Sequence, residues 1–133
     1  HHSVQDQAFG AGIFIDQSRD VEVYGNTVEF NNAGIAAMQE PAGSSCYRQE
    51  RETINLFVHD NTVRQRTGWA SSLQLLNESD TSYYTTRNNR WERNLYYLTD
   101  PDGAFFYWQS GLRTAKQWQS YGHDDTGTFE VLE

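Results

Sequence analysis

Acidic side chains that follow short apolar runs are the clearest candidates for chemistry in this chain of 133 residues. The set is Asp16, Glu40, Glu78 or Asp80, and Asp100. If the apolar runs are stacked strands, these carboxylates form a row on one face of the fold. Glycoside hydrolysis uses two carboxylates about 5 to 9.5 Å apart. A row of solvated turn residues has the same pattern, and we favour that interpretation.

Metal binding has weaker support in the sequence. Residues 100–103 (Asp-Pro-Asp-Gly) and 123–125 (His-Asp-Asp) offer oxygen ligands of the kind that Ca²⁺ prefers, but neither has a complete ligand spacing. The first is also a good type I turn with proline in its second place. One cysteine and scattered histidines do not make a zinc site. We therefore expect no metal or other cofactor, with Ca²⁺ as the cation to test.

Three segments that share a template must position these side chains. Residues 21–28, 56–63 and, more weakly, 84–91 each contain a β-prone run, a turn closed by asparagine and a second β-prone run. Such a repeat indicates a solenoid, in which each unit buries its apolar face against a neighbour. The template asparagines are Asn26, Asn61 and Asn89, which lie 35 and 28 residues apart.

The template asparagines are predicted to line one corner of the solenoid. Asparagine tolerates the left-handed αL conformation that a tight corner needs, and its amide can bond to an identical amide stacked above it. His59, two residues before Asn61, is then expected to be a surface or corner side chain rather than a general base.

The fold class that follows is all-β: a short right-handed parallel β-helix of about four coils with a C-terminal helical cap. We expect one domain over residues 1–133. Within it, residues 1–11 are an N-terminal edge segment, 12–108 are coils interrupted by an insertion at 39–53, and 109–133 are the cap and tail. In the cap, Thr114 is the predicted N-cap of a short helix, and Trp118 is the predicted plug of the open apolar end.

Composition limits the partners of such a protein. The formal net charge is −8 and 14% of the residues are aromatic. Nucleic acids and anionic lipid surfaces attract basic proteins, so neither is an expected partner. There is no apolar run of about 18 residues, so no membrane span is expected. Neutral or hydrated partners such as carbohydrates fit this composition.

Short segments resemble the coil repeat and the C-terminal end of right-handed parallel β-helix proteins of the pectate-lyase-like superfamily. The matching segments are residues 12–15, 21–28 and 34–37 in the coils and residues 94–97, 106–108 and 117–125 in the tail. Many members are polysaccharide lyases or glycoside hydrolases, and others are tailspikes, epimerases or surface proteins. The resemblance implies a secreted or cell-surface location, and it fits either the C-terminal part of a longer helix or an unusually short member.

Lyases of this superfamily use an arginine or lysine to abstract a proton next to a carboxylate. The candidates here are Arg48 and Arg51 in the insertion. Because Glu50 and Glu52 are interleaved with them, a self-neutralised, exposed loop explains the same pattern, and we favour that explanation.

Two functions remain open on the sequence. The first is a β-helix domain that is non-catalytic or of unassigned activity, structural or carbohydrate-binding, either as the C-terminal part of a larger protein or as a short member of the superfamily. The alternative is a polysaccharide-active enzyme, a lyase or glycoside hydrolase, with its cleft beside the 39–53 insertion. No complete catalytic set is visible for either reaction.

The N-terminal end is the predicted site of self-association. Residues 1–9 have no amphipathic helical pattern, so the first coil has no predicted cap. We expect a homodimer that buries Phe9 and the edge of this coil. The pair His1-His2 is compatible with a tag remnant and with a natural sequence.

Overall fold

A computed structural model describes residues 10–40 and 51–132. These residues form twelve strands and two short helices. In chain order they are β1 (Ala11–Asp16), β2 (Glu22–Tyr24), β3 (Thr27–Glu29), β4 (Ala33–Gln39), β5 (Phe57–His59), β6 (Thr62–Gln65), β7 (Trp69–Leu75), α1 (Ser82–Thr85), β8 (Arg90–Glu92), β9 (Leu95–Leu98), β10 (Phe106–Trp108), β11 (Gly111–Arg113), α2 (Ala115–Ser120) and β12 (Thr128–Val131).

The strands stack into three sheets, one on each side of the solenoid. Sheet A has the order β1-β4-β7-β10-β11, sheet B the order β2-β5-β8, and sheet C the order β12-β9-β6-β3. All of these pairs are parallel except the β10–β11 hairpin. The predicted all-β parallel solenoid is thus confirmed. It makes about three turns, and β10 and β12 each add one more strand where the sequence predicts a fourth coil.

Alternation along the short strands decides which side chains enter the core. In sheet B, Val23, Val58 and Trp91 occupy matching positions and are all buried. Side chains one position before and after them must point outwards, because successive residues of a strand face opposite sides. The same alternation buries Val28, Val63 and Tyr96 in sheet C.

Aromatic side chains close the C-terminal end of the core. Helix α2 begins with a capping box, in which Thr114 Oγ1 accepts from the backbone N–H of Gln117 and the Gln117 side chain accepts from the Thr114 N–H. The Trp118 side chain is fully buried, with its ring 5.2 Å from that of Trp91. Sheet B has no fourth strand among the described residues, and the Asp124 N–H donates to the Trp91 carbonyl at 2.7 Å at that edge.

The predicted asparagine corner exists, but its third member was wrong. Asn26 Nδ2 donates to Asn61 Oδ1 at 3.1 Å, and Asn61 Nδ2 donates to Asn94 Oδ1 at 3.0 Å. Asn94 Nδ2 in turn donates to Asp124 Oδ1 at 2.8 Å. We call these four residues the inner ladder. Asn89 lies at the preceding corner, where its oxygen accepts from the Leu56 N–H.

The αL conformation was predicted for the template asparagines, but other residues adopt it at the inner ladder. At the inner ladder it belongs to the residue before each asparagine, namely Gly25, Asp60 and Arg93. A second, exposed ladder at the preceding corner has the predicted geometry, since its three members all have positive φ. These are Asp20, Asn55 and Asn88, joined by side-chain bonds of 3.0 and 2.9 Å.

One helical turn replaces a predicted strand position. Residues 84 and 85, which the third template places in a β-prone run, lie in α1, where Tyr83 and Tyr84 are both buried. None of the described helices has the length and apolar character needed to cross a membrane.

Candidate functional site

The predicted acidic row does not form a stacked set. Strand register pairs Asp16 with Met38, so Glu40 lies two residues beyond the position that neighbours Asp16. The equivalence of Asp16 and Glu40 was wrong because the strand in the second turn continues to Gln39, one residue further than the apolar run.

The other predicted acids organise turns. Glu78 Oε2 accepts from the Asp80 N–H at 2.9 Å, and Asp80 Oδ1 accepts from the Ser82 N–H at 3.0 Å. Asp100 Oδ1 accepts from the Asp102 N–H at 3.0 Å in the proline turn. Asparagine and aspartate side chains commonly serve this role at turns. These contacts agree with the turn interpretation of the acidic pattern.

The two candidate arginines of the insertion are not brought into a site by the described contacts. Arg48 lies outside the described residues. Arg51 is exposed, and its backbone carbonyl accepts from Gln39 Nε2 at 2.9 Å. The insertion instead contributes a buried carboxylate, Glu52, which sequence analysis treated only as a neighbour of the arginines.

Glu52 joins the end of the insertion to α1. It is 5% exposed, accepts from the Tyr83 hydroxyl at 2.9 Å and lies 3.3 Å from Arg87 Nη1. Arg87 also contacts Asp80 at 3.2 Å and Ser82 Oγ at 3.0 Å. The pKa of the Tyr83 hydroxyl is raised, chiefly by burial and secondly by the hydrogen bond to Glu52. These contacts tie the helical turn to the end of the insertion.

A calcium ion at residues 123–125 would compete with hydrogen bonds inside the protein. Both carboxylate oxygens of Asp124 accept protein hydrogen bonds, from Asn94, Tyr96 and Trp118. His123 is packed among aromatic rings. In residues 10–40 and 51–132 no group of three or more metal-ligating side chains of the His, Cys, Asp or Glu type is found.

The outer surface of sheet B gathers aromatic and charged side chains on three consecutive turns. We call this surface the sheet B face. Its outward residues are Glu22 and Tyr24 from β2, Phe57 and His59 from β5, and Arg90 and Glu92 from β8. Parallel register sets them in two rows, one through Phe57 and one through His59. Within each row, neighbouring residues lie about 4.8 Å apart, which is the spacing between adjacent strands.

A stack of rings forms the centre of the sheet B face. The Tyr24 and His59 rings are nearly parallel, at 9°, with centroids 5.1 Å apart. The Phe57 ring lies 4.1 Å from the His59 ring, and the Arg90 guanidinium lies 4.1 Å from the Phe57 centroid. Tyr24 is 60% exposed. The stack therefore holds one large aromatic ring in a fixed orientation at the surface.

A chain of ionic bonds fixes this stack from the side. His59 Nδ1 lies 2.5 Å from Asp60 Oδ2, and His59 Nε2 lies 2.6 Å from Glu22 Oε2. Arg93 donates through Nε and Nη2 to the two oxygens of Asp60, at 3.2 and 3.1 Å, and through Nη1 to Glu92 at 3.0 Å. A bidentate arginine–carboxylate pair of this type restricts the orientation of both side chains as well as their position.

The ionic bonds shift the protonation of both partners. Burial lowers the pKa of His59, but the hydrogen bonds to Asp60 and Glu22 outweigh it, so the pKa is raised from its ordinary value. Hydrogen bonds from Arg93 and His59 lower the pKa of Asp60. Since both ring nitrogens of His59 face carboxylates, the imidazolium form satisfies the network, and the ring has no free nitrogen for base catalysis.

A shallow depression adjoins the stack. Its lining is Asp20, Val21, Glu22, Asn55, Phe57 and Arg90. Carboxylate and amide oxygens at this rim accept hydrogen bonds, the guanidinium donates them, and Phe57 gives the depression an apolar wall. The depression and the exposed Tyr24 ring together can hold a ligand that has both a flat apolar face and hydroxyl groups.

Sequence analysis did not find the sheet B face as a site. The available signal was the pattern of outward residues around Val23, Val58 and Trp91, where each strand has the form polar or aromatic, apolar, polar or aromatic. The sequence analysis missed this pattern because it aligned the third template segment on Asn89, whereas Asn94 is the residue that stacks on Asn61. Arg90 and Glu92 were therefore not placed beside Phe57 and His59.

Comparisons with known proteins do not assign the chain to a family: no family model, no curated protein and no solved structure matches it significantly. What stands of the superfamily resemblance is the architecture, a parallel β-solenoid of about three turns.

Proposed function

We propose that this protein is a non-catalytic, carbohydrate-binding β-solenoid whose sheet B face is the glycan site. The observation that carries the proposal is the Tyr24 ring, 60% exposed and stacked on His59. As the superfamily resemblance implies, such a domain would act in a secreted or cell-surface setting, alone or as the C-terminal part of a larger β-helix.

The chemistry of the face supports a sugar ligand. One face of a pyranose ring presents C–H groups that pack on a flat aromatic surface, while its edge presents hydroxyl groups. Sites that combine apolar and aromatic surface with a few fixed polar groups bind small ligands in a defined orientation. Tyr24 offers the flat surface, and the Glu22, Asn55 and Arg90 side chains at the depression offer polar partners.

The charges favour a neutral glycan over an acidic one. Four carboxylates surround the stack, those of Asp20, Glu22, Asp60 and Glu92, against three cationic groups, those of His59, Arg90 and Arg93. Like charge disfavours a partner that carries carboxylates, such as a uronate polymer. The formal net charge of −8 acts in the same direction.

The alternative, a lyase or glycoside hydrolase beside the insertion, has one observation in its favour. Glu52 is a buried carboxylate within the predicted cleft region, held by the Tyr83 hydroxyl and Arg87. Buried carboxylates with specific partners are common in active sites, although structural ion pairs produce the same feature. The described residues place no second carboxylate of the predicted row beside Asp16.

A polysaccharide panel separates the two proposals. We expect retention of the wild-type protein on neutral polysaccharides, weak or no retention on uronate polymers, and no reducing ends or unsaturated products from either. Product formation that Glu52→Gln abolishes would establish the enzyme. Stronger retention on uronates than on neutral glycans would reject the charge argument for this face.

A further inference from the structure

The imidazole of His123 is buried at the C-terminal end of the solenoid without a polar partner. The residue is 3% exposed, and neither ring nitrogen has a hydrogen bond. Buried polar groups are hydrogen-bonded in the great majority of cases, so an unpartnered group of this kind needs a physical explanation.

Three tryptophan rings enclose this imidazole. The ring centroid of His123 lies 4.1 Å from that of Trp108, 4.5 Å from that of Trp118 and 5.2 Å from that of Trp91. These tryptophans come from β10, α2 and β8, respectively. The rings of Trp108 and Trp91 meet the imidazole nearly edge to face, at 72° and 83°. We call residues 114–127, which contain Trp118 and His123, the closing segment.

No ionic group among the described residues compensates a charge on His123. Ionisable side chains on the surrounding elements are Arg90 and Glu92 in β8, Tyr107 in β10, Lys116 in α2, and Tyr121 and Asp125 beside His123 in the closing segment. None of them forms a hydrogen bond with either imidazole nitrogen. Asp124 follows His123 in the chain, but its carboxylate accepts from Asn94, Tyr96 and Trp118 instead.

From this enclosure we propose that the closing segment is an acid-responsive closure: protonation of His123 drives its ring out from between the tryptophans and undocks the segment from the ends of β8 and β10. The neutral ring packs as an aromatic side chain. A charged ring at this position is shielded from solvent and has no hydrogen-bonded counterion among the described residues, and burial of an unpaired charge is strongly unfavourable. This inference is independent of the glycan site.

The sign of the pH dependence follows from linkage. Burial lowers the pKa of His123 from 6.5 to about 3. The docked state therefore has its full stability above pH 6.5 and loses it as the pH falls from 6.5 towards 3. In that range the opening equilibrium rises by about tenfold per pH unit. Burial raises the pKa of Asp124, so acidification acts in the opposite sense through this residue.

Hydrogen–deuterium exchange of the full chain tests the closure, with His123→Phe as the variant that keeps an aromatic ring but cannot titrate. Comparison of the two proteins at each pH removes the intrinsic pH dependence of exchange. We expect the protection of residues 114–127 in the wild type, relative to the variant, to fall by about tenfold per pH unit below pH 6.5. The β7 peptide should show no such change, since opening is local.

Equal protection of the closing segment in both proteins at every pH would overturn the proposal, and so would a parallel loss in β7. If His123→Phe does not fold, the wild type gives the answer by nuclear magnetic resonance. The Trp118 indole N–H, which donates to Asp124 at 2.9 Å, should lose its resonance as the imidazole of His123 becomes protonated. An unchanged indole resonance through that titration would also overturn the proposal.

Discussion

The Asn61 side-chain amide donates to Asn94 Oδ1 at 3.0 Å, and this bond ties the second turn of the solenoid to the third. The same amide donates to the Val23 carbonyl at 3.0 Å, while Asn61 Oδ1 accepts from the Asn26 N–H and side chain. One buried side chain thus satisfies backbone and side-chain groups on both neighbouring turns. Since a buried polar group without a partner is costly, the inner ladder fixes which residues stack.

Replacement of Asn61 by leucine should destabilise the fold by about 2–4 kcal/mol. The variant removes the Asn61 side-chain bonds to the Asn26 N–H, the Val23 carbonyl and Asn94 Oδ1, although Asn94 Oδ1 keeps the bond from the Asn61 backbone N–H. Each buried group left unsatisfied costs about 1–3 kcal/mol, not additively. Backbone strain contributes little, because the αL residue at this corner is Asp60. Urea unfolding followed by circular dichroism measures the change.

Asn55→Gly is the matched control on the exposed ladder. Glycine keeps the positive φ at this position. The lost bonds to Asp20 and Asn88 are exposed to water, and the lost bond from Arg90 is partly buried. We expect a loss of no more than about 1 kcal/mol. Equal losses in the Asn55 and Asn61 variants would show that burial of the ladder is not what makes it stabilising.

Arg87→Met should destabilise the protein by about 3 kcal/mol, because it removes the guanidinium that lies 3.3 Å from the buried Glu52 carboxylate. Arg87→Lys is a partial replacement: an ammonium group can reach one carboxylate but cannot contact Glu52, Asp80 and Ser82 together as the guanidinium does. We expect an intermediate unfolding midpoint for Arg87→Lys. A midpoint equal to that of the wild type in both variants would contradict a structural role for this cluster.

The architecture was readable from the sequence because periodic apolar runs and a repeated Asn corner report backbone geometry directly. The sheet B face could not be predicted from the sequence in the same way, because it depends on the register between turns. A shift of the third template from Asn94 to Asn89 was enough to separate Arg90 from Phe57. The β-prone run predicted at the start of the third template was wrong for a similar reason, because adjacent residues such as Tyr84 and Thr85 fit a strand as well as the helical turn that they form.

The ionic network on the sheet B face predicts a defined pH dependence of stability. The pKa of His59 is raised in the folded state, so its contribution is fully present below pH 6.5 and is lost as the pH rises through the folded-state value. The unfolding free energy of His59→Gln should therefore differ from that of the wild type at pH 5.5 and approach it at pH 8.5. A contribution of about 1 kcal/mol or less is expected for a partly exposed pair.

The titration of His123 must be removed from this comparison, because its lowered pKa makes the protein less stable as the pH falls, whereas the contribution of His59 is lost as the pH rises. The His59→Gln change made in the His123→Phe background isolates the network. A difference between the two proteins that grows from pH 5.5 to pH 8.5 would contradict the assignment of His59 as a cation between Glu22 and Asp60.

Self-association through the N-terminal end remains a prediction. Among the described residues, β1, β2 and β3 each pair on one edge only, and unpaired edges promote association. Phe9 lies outside the described residues, as does the His1-His2 pair. Light scattering at high micromolar concentration should report a dimer, and salt should strengthen it by screening acids such as Glu22 and Glu29. A strict monomer at all salt concentrations would contradict the prediction.

Titration calorimetry of a neutral oligosaccharide, selected from the polysaccharide panel, tests the central claim most directly. Three proteins are compared: the wild type, Tyr24→Ala, and Phe30→Ala as a control for an exposed aromatic residue outside sheet B. We predict that Tyr24→Ala weakens binding by at least tenfold, through loss of the stacking surface, while Phe30→Ala binds as the wild type does. Equal affinity of Tyr24→Ala and the wild type, with both variants folded, would contradict the assignment of the sheet B face as the glycan site.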